Sequence, residues 1–143
     1  MRFFHPNEVF WKWIEEESKK YKFVIDCGCG EGHLVKEINE RNIKCLGIDP
    51  RYLLFDEIPK NLYNRILPAS AEDSHFILEK DVLLLVCRPC HNGFPALIND
   101  KRNKTNSFYY IGFEKNFEFD LEEDPKLILE NVGEDGENLY KVS

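Results

Sequence analysis

Phe23-Val24-Ile25-Asp26-Cys27-Gly28-Cys29-Gly30-Glu31-Gly32 decides the fold. It opens as a short apolar, β-branched run entering a glycine cluster, the pattern of a strand buried in a parallel sheet. Downstream, Glu31 to Arg41 carries Leu34, Val35 and Ile38 at helical spacing, and Asn42 is a suitable C-terminal stop. Lys44 to Asp49 reads as a second strand. Strand, glycine turn, helix and strand in that order predict a βαβ unit with a ligand-binding turn at its centre.

The turn restricts the ligand. Glycine lets the backbone approach a ligand and adopt positive φ. A helix N-terminus offers free N–H groups to an electronegative atom. Asp49 closes the second strand, where an acid can accept from both hydroxyls of a ribose. A dinucleotide site needs Gly-x-Gly-x-x-Gly or Ala. Started at Gly28, its last position holds His33; started at Gly30, it holds Val35. Both are too large for close helix–strand contact, so a nicotinamide-dependent oxidoreductase is the weakest reading. The pattern acid-x-Gly-x-Gly-x-Gly is filled at every place, by Asp26, Gly28, Gly30 and Gly32. An unliganded glycine turn is the rival. The preceding strand, the following helix and Asp49 weigh against it.

On these residues the chain resembles the class I S-adenosylmethionine-dependent methyltransferases. The resemblance implies S-adenosylmethionine as cofactor. It assigns Asp26, Cys27, Gly28, Gly30 and Gly32 to the cofactor loop, and Asp49 with Pro50, in Gly47-Ile48-Asp49-Pro50, to the ribose. At lower specificity it extends to Ala69-Ser70-Ala71-Glu72-Asp73, where Ser70 and Ala71 would hold the adenine. The family often has an acid where this chain has Ser70, and a hydroxyl accepts more weakly than a carboxylate. Asp81 to Cys87 resembles the fourth strand, which places Cys87 beside the cofactor. The likeness covers about residues 8 to 113, and a terminal hairpin agrees with the family's last two strands.

The rest of the chain fits this frame. Residues 7 to 20 are predicted helical, with Phe10, Trp13, Ile14 and Tyr21 at helical spacing and Glu15/Lys19 and Glu16/Lys20 as i,i+4 pairs. Trp11 and Trp13 can line a substrate mouth, but packing of this helix on the sheet is the preferred reading. A short helix or turn is expected between Arg51 and Pro59, and weak or short elements at Arg65-Ile66-Leu67, 72–79 and 93–100. Val82 to Cys87 and Ser107 to Phe113 are strands. Leu127 to Val132 and Leu139 to Val142 flank Gly-Glu-Asp-Gly-Glu and form a hairpin. Glu114 to Pro125 is too acidic and too short for a full crossover helix. The expected architecture is a three-layer, Rossmann-like α/β fold. It has a mostly parallel sheet of about seven strands, helices on both faces with some reduced or missing, and a C-terminal antiparallel hairpin. A chain of 143 residues with 43% hydrophobic content suffices for one domain with a packed core.

Ligands meet such sheets at the carboxyl ends of the strands. The fourth strand ends in Cys87-Arg88-Pro89-Cys90-His91-Asn92. The resemblance places the transferable methyl group near there. His91 is the best-placed candidate base and Arg88 can bind an anionic substrate; the competing reading is that both only shape the loop. The Asn/Asp-Pro-Pro-aromatic tetrapeptide of amino-directed nucleic-acid methylases is missing, and the net charge is −7. Both argue against a nucleic-acid acceptor. Cys27, Cys29, Cys87, Cys90 and His91 raise a zinc hypothesis. A single C-x-x-C without a matching pair reads instead as ordinary thiols, so no metal is expected. Without a secretory or membrane-spanning stretch, the chain is expected in the cytosol. The function that follows is a minimal methyltransferase acting on a small-molecule or protein acceptor, with an open site that an oligomeric partner can complete. The alternative is a non-catalytic cofactor-binding or regulatory domain that needs a partner chain.

Overall fold

The computed structural model describes residues 3–54, 56–70, 81–87, 107–113 and 125–142, with only the backbone of Leu54. A seven-stranded sheet runs in the order β3-β2-β1-β4-β5-β7-β6. Its centre is β1 (Val24–Cys27), between β2 (Cys45–Ile48) and β4 (Leu83–Cys87). β3 (Ile66–Leu67) pairs with β2, and β5 (Ser107–Gly112) with β4, all parallel. β7 (Asn138–Val142) enters antiparallel between β5 and β6 (Lys126–Leu129), so the predicted hairpin closes the sheet. All four residues of β1 are buried, which is why its sequence shows a run and no alternation.

The register prepares the site. Cys27 stands level with Ile48 and with Val86, and Ile48 with Leu67. Gly28, Asp49, Pro68 and Cys87 therefore leave the sheet along one row at its carboxyl edge.

One face carries the described helices. α1 (Glu8–Glu17) starts at Asn7, whose side-chain oxygen accepts from the Val9 and Phe10 N–H groups. It buries Phe10, Trp11 and Ile14, and Trp13 packs edge-on against Tyr109 with centroids 4.8 Å apart. Packing on the sheet, and not a substrate mouth, is thus the place of both tryptophans. α2 (His33–Glu40) buries Leu34, Val35 and Ile38. It ends as expected at Asn42, φ 62°. There Ile43 N–H donates to Ile38 O and Asn42 N–H to Asn39 O, a Schellman closure. Arg41 joins the two helices, 3.9 Å above the Trp11 ring and 3.0 Å from Glu15.

The helix α1 differs in one detail from the sequence reading. Its ion pairs are Glu16–Lys19 and Glu17–Lys20, at i,i+3, and not the i,i+4 pairs. The last turn tightens to a 3₁₀ helix at Ser18–Lys20, and three residues per turn brings i,i+3 side chains into line. The short helix expected before Pro59 is α3 (Arg51–Leu54). The opposite face is a second core, built on Ile25, Cys27, Ile48, Leu84 and Tyr110. The expected segments 72–79, 93–100 and Glu114 to Pro125 lie outside the described residues. Among the described residues, no helix is long and apolar enough to cross a membrane.

Candidate functional site

The loop after β1 carries three left-handed glycines: Gly28 at φ 78°, Gly30 at 57° and Gly32 at 86°. β2 fastens it, because the Gly28 and Cys29 N–H groups both donate to Ile48 O, at 2.8 and 3.0 Å. Gly32 N–H donates to Cys29 O and closes the turn into α2. A side chain at Gly32 is excluded twice. Its φ is left-handed, and a Cβ would stand 2.5 Å from Leu62 Cδ1.

Asp49 reaches back over this loop from the end of β2. Its Oδ2 accepts from Gly30 N–H at 2.8 Å and its Oδ1 from Arg51 N–H at 2.9 Å. A carboxylate offers about four acceptor positions, so each oxygen keeps one for a further donor such as a hydroxyl. Pro50 follows and accepts from Leu53 N–H through its carbonyl, setting the first turn of α3. Arg51 Nε lies 3.6 Å from Asp49 Oδ1. The Tyr52 hydroxyl donates to Gly30 O at 2.7 Å. Gly30 is thereby held on both backbone groups by residues beyond β2.

Asp26 is the unusual group. It is 3% exposed, and its Oδ1 has no hydrogen-bond partner. Burial, and then the nearby Asp49 charge, push its carboxyl up to about 7. An orphaned buried oxygen costs free energy that a donor recovers. The chemistry fits an adenosyl amino acid: an ammonium for Asp26, ribose hydroxyls for Asp49, and a glycine loop that lets backbone come close to both.

The remaining assigned residues divide. The Cys27 side chain is fully buried in the second core, on the face opposite Cys29 and Cys87. What it can offer a ligand in the loop is its backbone. Its orientation also removes it from any zinc cluster with those two thiols. Among the described residues no group of three or more ligating side chains exists. Cys87 is half-buried at the end of β4, packed on the helix-covered core. Burial first, and then the Asp26 charge, raise the thiols of Cys27, Cys29, Cys45 and Cys87 above the ordinary range. They are neutral packing groups there. Ser70 lies beyond β3, three residues after Leu67. Ala71, Arg88, Cys90 and His91 lie outside the described residues.

Sequence reasoning missed Tyr52, Arg51 and Gly47. Nothing local marks Tyr52, whose contact spans from residue 52 to residue 30. Gly47 had a signal, since a glycine inside a strand marks close approach. A Cβ there would meet Cys29 Sγ at 2.6 Å and Val35 Cγ2 at 2.9 Å. A cleft of about 530 Å³ also opens between α2 and residues 51–62, lined by Glu31, His33, Lys36, Arg51 and Asp56 among others. Asp26 does not line it, and several of its polar side chains contact each other, as Glu31 does His33 at 3.2 Å and Arg51 does Asp56 at 3.9 Å.

Compared as a sequence, the chain matches no family model and no curated protein. Compared as a structure, it superposes on several methyltransferases. With the putative methyltransferase yhhF from Escherichia coli the TM-score is 0.61 at 17% identity, over 95% of this chain and 85% of that one. The chain has the class I methyltransferase fold. A second neighbour is Thermoplasma acidophilum 1320, with a TM-score of 0.58 at 18% identity, over 94% and 82% of the two chains. A third is the bifunctional kinase-methyltransferase WbdD, at 0.57 and 16%. This chain covers 37% of WbdD, so it spans little more than a third of that protein. Within this methyltransferase fold, the row Gly28, Asp49, Pro68 and Cys87 is the carboxyl edge, where open α/β sheets bind their ligands.

Proposed function

We propose that this chain binds S-adenosylmethionine and transfers its methyl group to a small-molecule or protein acceptor in the cytosol. The observation that carries the reading is the pair of acids around the glycine loop: Asp26, buried with an orphaned oxygen, and Asp49, bonded to the Gly30 N–H. The methyltransferase fold of its structural neighbours supports it. When bound, S-adenosylmethionine supplies a sulfonium methyl group, displaced in line as the carbon–sulfur bond breaks and the sulfur keeps the electron pair.

The protein's part is chiefly positional, and holding donor and acceptor in line is worth several kcal/mol. Asp26 takes the ammonium of the amino-acid arm. Asp49 takes the ribose hydroxyls. Ser70 and Ala71 take the adenine edge. His91 is the candidate base for an acceptor that must lose a proton, and Arg88 the candidate partner for an anionic one. Calorimetric titration of the purified chain with S-adenosylmethionine and S-adenosylhomocysteine tests the reading. Saturable 1:1 binding of both is expected, and no heat with either would overturn it.

A further inference from the structure

Residues 3–7 form a strap that the methyltransferase reading leaves unused. At one end it is sewn to the loop before β7. Asn7 N–H donates to Val132 O, Glu134 N–H to His5 O, and the Asn7 side-chain amide to Asn131 O, while Pro6 bridges Gly133. Phe4 is buried against Phe10, and a Cβ on Gly133 would stand 2.7 Å from its ring. At the other end Phe3 lies on the glycine loop. A Cβ on Gly30 would stand 3.4 Å from Phe3 Cε1, and the Phe3 ring meets His33 edge-on with centroids 5.3 Å apart.

The span fits the sheet. From β7 through β5 and β4 to β1 there are three strand spacings, about 14 Å. Five extended residues cover about 16 Å. The strap therefore reaches from the loop before β7 to the glycine loop and sets its half-buried tip beside Gly30. By the sheet order, a ligand with its ribose on Asp49 and its adenine beyond β3 turns its amino-acid arm toward β1, which carries Asp26, and toward the loop that Phe3 touches.

We propose that Phe3 is a ligand-positioning residue: an apolar wall that closes the glycine loop over the amino-acid arm of the adenosyl ligand and keeps water from it. This rests on the S-adenosylmethionine reading of the loop. Exclusion of water strengthens the polar contacts beneath the wall. The ring's removal should therefore weaken only ligands that carry the arm.

Calorimetry on the full chain tests this with S-adenosylhomocysteine and with adenosine, which has the ribose and adenine but no arm. For Phe3→Ala, affinity for S-adenosylhomocysteine should fall about five- to twentyfold, with adenosine within about twofold of the unsubstituted chain. Phe3→Leu should restore most of the loss. Equal losses for the two ligands, or no loss for either, would overturn the wall and leave the cofactor reading standing. If the unsubstituted chain binds S-adenosylhomocysteine no better than adenosine, the arm is not recognised and the wall falls with it. If it binds neither, both readings fall. The melting temperature of ligand-free Phe3→Ala separates a folding effect, which would weaken both ligands together.

Discussion

Asp26 places a titratable group where solvent cannot reach it, and this sets a pH signature. Its folded carboxyl titrates near 7, against about 3.8 for a free one. The folded state therefore holds the proton more tightly, so stability is highest at low pH, falls as pH rises from about 4 to about 7, and is level above. The ionised form at pH 8 costs the fold on the order of 2–4 kcal/mol. Asp26→Asn removes the cost. Melting curves of the ligand-free chain between pH 5 and 8 should show the variant gaining stability over the parent as pH rises. Ligand affinity should move the other way, since an ammonium needs the ionised carboxylate. Binding of S-adenosylmethionine should strengthen up to about pH 7 in the parent, and stay weak and flat in Asp26→Asn. A variant that lost stability at pH 8 would mean that the acid has a partner in the fold. Tyr52→Phe tests the brace on the loop: loss of the 2.7 Å bond to Gly30 O should lower stability by about 1 kcal/mol and weaken S-adenosylhomocysteine a few-fold. The acids and glycines of this site were legible because they sit within one short stretch and at the end of the next strand. Tyr52 and Phe3 were not, because each reaches Gly30 from a distant part of the chain and carries no local pattern.

At the scale of elements, the loop and α2 are held to the sheet by glycines that do different work. Gly32 needs its left-handed φ and also has Leu62 against it, whereas Gly47 is an ordinary strand residue whose missing Cβ admits Cys29 and Val35. Gly32→Ala should therefore cost about 2–4 kcal/mol, conformational strain and overpacking together. Gly47→Ala should cost about 1–3 kcal/mol by overpacking alone. In Gly47→Ala, shortening the neighbour with Val35→Ala should recover part of the methyl clash at Val35, despite the cavity that change makes on its own. Urea denaturation of the four chains measures the coupling. Strictly additive losses would show that Gly47 does not seat α2. The elements themselves were largely legible. β1, β2, β4 and the closing hairpin are apolar runs bounded by turn residues, and α2 carries both its spacing and its stop. The ion pairs of α1 were not, because the tightening of its last turn depends on where the chain must leave to reach β1.

For the whole molecule, order within the sheet puts the ligand residues on one edge, and that edge is built from contacts far apart in sequence. β1 lies between strands that come from residues 45–48 and 83–87. This is why the parallel order could be expected from alternating strands and helices, while the register that levels Gly28, Asp49 and Cys87 could not. At 14–18% identity to these structural neighbours over most of its length, the chain shares their fold and few of their residues. Structural likeness then speaks for the fold, and the cofactor must be tested on the molecule. A ligand that binds only the folded chain stabilises it by about 2.7 kcal/mol at 100 times its dissociation constant. With an unfolding entropy of about 2.1 cal/mol/K per residue, that raises the melting temperature by about 9 °C. S-adenosylhomocysteine at that excess should give this shift at pH 8. NAD should give none, because His33 and Val35 fill the positions where a dinucleotide loop needs glycine. Asp49→Ala should abolish the shift with S-adenosylhomocysteine, through loss of the ribose acceptor and of the bond that holds Gly30. A shift with NAD that persists in Asp49→Ala would move the ligand away from this edge, and the acids around the glycine loop would need another account.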